Sequence, residues 1–328
     1  MTFSTPAVAD GITILIHDPA ADHYVPLIRG RFPEIRVLCA KDAQALECHV
    51  PEADIILTSP SSFPVRLFEK ASRLRWIQTT VAGVEAFLPV RDRISDLNLI
   101  ITNARGIHGE LIADFVMTGI GMMQWDFPGL MREQSRKEWR PRCVAPLAER
   151  TLGVVGLGSV GAAIARRGKS AGMTVIGSKR DVSEAIAGVD KLVPPDGLPE
   201  LLQLSDFVVL AVPRLPETTK LIGRDQLQLM RRSAFLINIA RGSVVVESEL
   251  VAALHAGTIA GALLDVFERE PLPIDSPLWT MPNVIVAPHI SGYPSDYNTR
   301  VFEIFGDNLQ RFIEKRPLLN VVDLKRGY

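Results

Sequence analysis

Up to about residue 103, apolar residues fall in short runs, 12–16, 55–57, 75–78 and 99–101, separated by polar or helix-like stretches. Such alternation predicts strands interleaved with helices, an α/β region. No glycine-rich loop interrupts it, so this region is not the expected nucleotide binder. Over 107–125, Leu111, Ile112, Phe115, Val116 and Ile120 recur at helical spacing without proline, which predicts a long helix despite Gly119 and Gly121. A domain crossover is expected just before it, at 103–106.

After a polar stretch containing Pro128, Pro141 and Pro146, a second and clearer series starts at Thr151. Its predicted strands, 152–155, 207–212, 234–239, 262–264 and 284–286, are nearly continuous apolar runs. That pattern belongs to a parallel sheet covered by helices on both faces, hence a doubly wound domain. Beyond Pro294 an amphipathic segment carries Val301, Ile304, Phe305, Leu309 and Phe312, and a last apolar run at 318–322 precedes a charged tail. Internal repeats and low-complexity segments are absent.

Composition narrows the picture. At 328 residues, with 47% apolar and 22% charged residues, the chain has ordinary globular composition and enough length for about two domains. Lys and Arg number 36 against 37 Asp and Glu, a net charge of -1, and the cluster Arg136, Lys137, Arg140, Arg142 is interleaved with Glu133 and Glu138. No nucleic-acid partner is expected from that balance. Residues 1–10 show no leader pattern, and no apolar stretch approaches the ~18 residues of a membrane span. A cytoplasmic protein with no membrane partner is predicted. Cys39, Cys48 and Cys143 lack C-x-x-C spacing and are read as small apolar residues, and no metal-ligand spacing occurs.

Gly156, Leu157, Gly158, Ser159, Val160 and Gly161 form G-x-G-x-x-G between the run 152–155 and a helix-like segment with Val160, Ala163 and Ile164 on one face. The first glycine allows the tight turn, the second the approach of a pyrophosphate, and the third close helix-to-strand packing. The next predicted strand, 173–177, ends where an NAD-preferring site carries a carboxylate for the ribose 2'-hydroxyl. Here Ser178, Lys179 and Arg180 follow instead, three donors suited to a 2'-phosphate. NADP(H) is therefore the preferred cofactor and NAD(H) the alternative. The plainer reading is a pair of solvated basic residues tolerating either one.

Taken with Asn238-Ile-Ala-Arg241-Gly-Ser, Asp265-Val-Phe-Glu-Arg-Glu270-Pro, Ala287-Pro-His289 and Thr80-Val-Ala-Gly83-Val, this loop resembles the D-isomer-specific 2-hydroxyacid dehydrogenases, and within them the NADPH-dependent glyoxylate/hydroxypyruvate reductase branch. The resemblance runs from about Trp76 to the C-terminus. It implies two doubly wound parallel-sheet domains, with a Rossmann dinucleotide-binding domain, 104–294, inserted into a flavodoxin-like substrate or lid domain, 1–103 and 295–328. By position it implies that Arg241 binds substrate, His289 is the acid/base and Glu270 its carboxylate partner. It also places Val212, Pro213 and Thr218 over the cofactor, with Ala240, Arg241, His289 and Asp265 near the nicotinamide. The backbone N–H groups of Val81, Ala82 and Gly83 would hold the substrate carboxylate, in a cleft that closes over the cofactor. A homodimer built on the nucleotide-binding domains is implied too.

Chemistry points to the same roles. Hydride delivery to a carbonyl carbon builds charge on its oxygen, which a histidine relieves with a proton while a carboxylate orients the ring and favours its charged form. A guanidinium offers a planar fork for a carboxylate or a ketone. Taken singly, Arg241 reads equally as a solvated arginine, Glu268 and Glu270 as a charged turn, and His289 as a core histidine. His17, His23, His49, His108 and His255 are read as structural.

Val246 and Asp114 stand where the family often has Asp and Glu, Val81 where Ser is common, and Tyr293-Pro294 where smaller residues are frequent. The last two departures bear on the substrate side chain. A long regulatory extension of the kind found in the larger phosphoglycerate dehydrogenases is not expected. The expected function is hydride transfer from NADPH to a small 2-oxo acid of the glyoxylate or hydroxypyruvate type, giving the D-2-hydroxy acid. A formate dehydrogenase is disfavoured because the resemblance gives that enzyme glutamine beside its histidine. The alternative class is a nicotinamide-sensing, corepressor-like binding protein of the same fold.

Overall fold

The computed structural model describes residues 11–327; segment 1–10, where no leader pattern was read, lies outside the described residues. The described chain folds as two compact units, one formed by residues up to Ile107 together with those from Ser295 onward, the other by His108–Pro294.

The first unit contains β1 (Thr13–His17), α1 (Ala21–Arg31), β2 (Arg36–Cys39), α2 (Ala43–His49), β3 (Ile55–Thr58), β4 (Trp76–Thr79), α3 (Arg91–Asp96) and β5 (Ile100–Thr102). Its sheet is parallel throughout, in the order β2-β1-β3-β4-β5, the flavodoxin-like arrangement. Strands β3 and β4 are buried along their whole length, as their apolar runs require, while the edge strand β2 is partly open.

Residues past 294 complete this unit. A helix, Tyr297–Ile313, the tenth in chain order and so α10, buries Val301, Phe302, Phe305 and Leu309. Phe305 and Phe312 stack on Trp76 with ring centroids 5.3 and 5.5 Å away. Buried Trp76 donates its indole N–H to Thr102 Oγ1 at 2.7 Å, and that hydroxyl donates to Gln78 Oε1 at 2.7 Å, so the polar atoms of this core are matched. Val321 then bridges Thr102 in antiparallel sense.

The second unit contains α4 (Gly109–Gln124), α5 (Phe127–Arg136), β6 (Thr151–Val155), α6 (Ser159–Ser170), β7 (Thr174–Ser178), β8 (Lys191–Val193), α7 (Leu198–Leu204), β9 (Phe207–Leu210), α8 (Arg224–Leu229), β10 (Phe235–Asn238), α9 (Glu247–His255), β11 (Gly261–Leu264) and β12 (Val284–Val286). Its seven-stranded parallel sheet has the order β12-β11-β10-β9-β6-β7-β8, the doubly wound Rossmann arrangement with its reversal between β6 and β9.

Alternate residues of each strand feed opposite faces. Leu152, Val154, Phe207, Val209, Ile237 and Leu263 pack with Ile112, Val116 and Ile120 of α4 and with Ile164 of α6. Val155, Val208, Leu210, Leu236, Ala262 and Leu264 pack on the other side with Leu201, Leu202, Leu227, Leu250 and Leu254 from α7, α8 and α9.

At Gly119 a methyl would crowd Leu263 Cδ2, so the glycine lets α4 sit close to the sheet. Three expectations change. The stretch read as polar connection contains α5, with Pro128 in its first turn and Asp126 accepting from Gly129 N–H at 3.0 Å. Edge strands β2 and β8 had not been expected. Cys48 and Cys143 are exposed and Cys39 partly so, which is not the burial of apolar side chains. Among the described residues, no helix is long and apolar enough to cross a membrane.

Candidate active site

Strand β6 ends at Val155 and the chain turns through Gly156, whose φ of +99° lies in the left-handed region. A methyl at Gly156 would lie 2.7 Å from the carbonyl oxygen of Ala211, and one at Gly161 only 1.9 Å from the carbonyl oxygen of Gly156. Around Gly158 there is open space, with nothing within 4 Å of such a methyl. Gly158 is also the N-cap of α6, whose first turn receives no side-chain cap. The turn is therefore tight where glycine must pack and open where unpaired helix N–H groups emerge, which fits a pyrophosphate. Leu157 is buried against Gly177, while Ser159 is exposed and Val160 half-buried at the helix start.

Strands β7 and β9 flank β6, and their C-terminal loops flank the glycine turn. Ser178 is buried at the end of β7. Lys179 is held through its backbone N–H to Val193 O at 3.1 Å, and exposed Arg180 donates from Nη2 to Glu217 Oε1 at 3.0 Å. After β9, Val212 abuts Gly156, and Thr218 closes the following loop by accepting from Leu215 N–H at 2.8 Å and donating to Pro213 O at 2.6 Å. All these residues sit outside the carboxyl ends of strands at the sheet's reversal point.

The remaining predicted residues follow β10, β11 and β12. Asn238, buried at the end of β10, donates from Nδ2 to Arg241 O at 3.1 Å and accepts from Ala240 N–H at 3.1 Å. That turn presents Arg241, whose Nη1 donates to Ala240 O at 2.8 Å. A methyl at Gly242 would lie 1.8 Å from the carbonyl carbon of Phe267, so the Arg241 turn lies directly on the backbone leading to Glu270.

Glu270 Oε1 accepts from Phe267 N–H at 3.0 Å, and Oε2 lies 2.8 Å from His289 Nδ1. An ionised carboxylate only accepts, so Nδ1 carries the proton of this bond and Nε2 is the ring nitrogen left for chemistry. His289 adopts φ +56°, a left-handed conformation that histidine tolerates better than most residues and that is frequent at functional sites. Asp265, 1% exposed, accepts from Ile290 N–H at 2.8 Å and from Ser291 N–H at 3.1 Å, and so anchors the chain just past His289.

His108 was read as merely structural, and the structure puts it beside these residues. Its Nδ1 bonds to Gly292 O at 2.8 Å, making a second anchor for the same segment. Burial pushes its pKa below the ordinary value, the Gly292 carbonyl opposes this, and the Arg241 charge adds to the depression. Nothing in the spacing of the chain marks His108, because its partner is a backbone carbonyl far along the sequence.

A stability consequence follows. With the folded pKa below the unfolded one, the unfolded chain binds the extra proton first, so His108 costs stability as pH falls through its unfolded value of about 6.5. Thermal melts between pH 8 and 5 should lose less Tm in His108→Gln than in the wild type. Identical pH profiles would refute this.

Val81, Ala82 and Gly83 follow β4 in the other unit. The Val81 carbonyl accepts from Thr79 Oγ1 at 2.6 Å and from Ala104 N–H at 3.2 Å, and the Ala82 carbonyl from Asn103 Nδ2 at 2.9 Å. In a trans peptide the N–H points opposite the carbonyl, so these bonds aim the N–H groups of Ala82 and Gly83 the other way, as donors for an anion.

Residues 121–291 match the family model described as the D-isomer specific 2-hydroxyacid dehydrogenase NAD binding domain. A glyoxylate reductase of Korarchaeum cryptofilum is 37% identical over 78% of either chain. A D-isomer specific 2-hydroxyacid dehydrogenase of Xanthobacter autotrophicus, solved with NADPH and MES, is 31% identical with a TM-score of 0.87, covering 97% of this chain and 100% of that one. An NADPH-dependent glyoxylate/hydroxypyruvate reductase of Sinorhizobium meliloti, solved with NADP and sulfate, is 27% identical with a TM-score of 0.84 over 97% and 100% of the respective chains. With a glycine turn, two parallel sheets and this extent of matching, the chain belongs to the D-isomer-specific 2-hydroxyacid dehydrogenase family of oxidoreductases, whose Rossmann domain binds NAD(P).

Proposed function

We propose that the chain is an NADPH-preferring reductase of small 2-oxo acids of the glyoxylate or hydroxypyruvate type, giving the D-2-hydroxy acid. The observation that carries this reading is the Glu270 carboxylate divided between Phe267 N–H and His289 Nδ1. When bound, the cofactor supplies the hydride for the carbonyl carbon. His289 Nε2 delivers the proton that the carbonyl oxygen needs as charge builds on it. Glu270 holds the ring in the required tautomer and offsets the imidazolium charge, acting through His289 rather than on substrate. Arg241 receives the substrate carboxylate or polarises the ketone with its planar fork.

Gly156, Gly158 and Gly161 would hold the pyrophosphate at the start of α6, with Val212, Pro213, Thr218, Ala240 and Asp265 around the remainder. Lys179 and Arg180 support NADPH over NADH, as do the two NADP(H)-bound relatives. We read the functional form as a homodimer, with exposed Trp125, Phe127, Met131 and Trp139 of the nucleotide-binding unit as its apolar contact surface.

Loss of absorbance of NADPH and of NADH against glyoxylate, hydroxypyruvate, pyruvate and phenylpyruvate tests the reading. Turnover is expected with glyoxylate and hydroxypyruvate and faster with NADPH. Cofactor binding without turnover on any acid would overturn it in favour of a nicotinamide-sensing role.

A further inference from the structure

The end of β7 lacks the carboxylate that an NAD-preferring site uses for the ribose 2'-hydroxyl, and Ser178, Lys179 and Arg180 stand there instead. A carboxylate from another loop nevertheless meets the Arg180 guanidinium. Glu217, on the loop after β9, accepts from Arg180 Nη2 at 3.0 Å. Because β9 and β7 lie on either side of β6, this ion pair joins the two loops that flank the glycine turn.

Both side chains are more than half exposed, 57% and 58%, so the pair adds little to stability and is easily exchanged for another partner. A 2'-phosphate, with nearly two negative charges, competes with Glu217 for the same guanidinium and is repelled by its carboxylate. A plain 2'-hydroxyl meets neither obstacle, and can donate to the carboxylate as it would to the family carboxylate at β7.

We infer that Glu217 is a cofactor-selectivity residue, which holds Arg180 when the 2'-phosphate is absent, restrains the preference for NADPH and keeps NADH usable. The inference rests on the reading that Lys179 and Arg180 receive the 2'-phosphate. It makes Glu217, rather than the basic pair alone, the residue that sets how far the preference goes.

The test measures dissociation constants for NADPH and NADH by nicotinamide fluorescence on the full chain, for wild type, Glu217→Gln, Arg180→Gln and the double variant. Glutamine keeps the length and an acceptor oxygen and removes the charge. Glu217→Gln should tighten NADPH relative to NADH by about five- to tenfold, the size expected for one charge removed beside a partly exposed dianion. In the Arg180→Gln background the same change should shift the ratio by less, since the competition for the guanidinium is gone. An unmoved ratio in Glu217→Gln, or one moved toward NADH, overturns the inference. If Arg180→Gln collapses the NADPH preference while Glu217→Gln leaves it alone, only the role of Glu217 falls. If neither variant moves the ratio, the phosphate does not bind here and both readings fall.

Discussion

His289→Asn should lower kcat/KM for 2-oxo acid reduction by roughly 10²- to 10⁴-fold, the usual range for losing a positioned proton donor. Asparagine is the informative replacement. His289 sits at φ +56°, a region that asparagine also tolerates, whereas alanine would add backbone strain to the loss of the proton. Asparagine keeps a donor for Glu270 but brings no group that can pass a proton to the substrate. The loss should appear in kcat with both nicotinamides, since the proton goes to the substrate whichever cofactor brings the hydride. Single-turnover rates with NADPH and glyoxylate measure it, with Tm as the check on folding. A folded His289→Asn protein turning over within about threefold of wild type would remove His289 from the chemistry, since that range is far below the expected loss.

The second large effect is expected at the glycine turn, where two neighbouring glycines should fail for different reasons. In Gly161→Ala the new methyl would lie 1.9 Å from the Gly156 carbonyl oxygen, which is backbone and cannot swing aside. Helix α6 must shift away from the turn, and with it the N–H groups at its start that would meet the pyrophosphate. NADPH affinity should fall by about ten- to a hundredfold, the loss of one hydrogen bond to a charged group, together with Tm. In Gly158→Ala nothing lies within 4 Å of the methyl, so folding should be nearly untouched. That methyl instead fills space over the first turn of α6, and cofactor affinity should fall while Tm holds. Equal Tm for wild type and Gly161→Ala, with unchanged NADPH affinity, would contradict the proposed packing.

Central strands were legible because burial on both faces demands unbroken apolar runs, as in 152–155 and 55–57. The edge strands escaped because solvent on one side relaxes that demand: Arg36 begins β2 and Lys191 begins β8. Pro128 reads as a loop signal in the sequence, although in the first turn of a helix proline removes only an N–H that has no partner there. The roles of Arg241, Glu270 and His289 were suggested by short motifs, since each motif packs a strand end and a reactive side chain into a few residues. His108 and Glu217 were not legible as site residues. Each has a partner distant in sequence, the Gly292 carbonyl and the Arg180 guanidinium, and only the folded chain joins them.

The bond from His108 Nδ1 to Gly292 O joins the first turn of the second unit to its last. Both ends of that unit therefore emerge side by side, while the first unit is split between residues made early and residues made late during synthesis. Trp76 cannot acquire Phe305 and Phe312 as stacking partners until the ribosome has passed the whole intervening segment. If that segment folds first, its adjoining ends turn a long excursion into a short effective loop, and the entropic cost of closing the first unit shrinks accordingly. Translation order thus favours the nucleotide-binding unit folding before the unit that begins the chain.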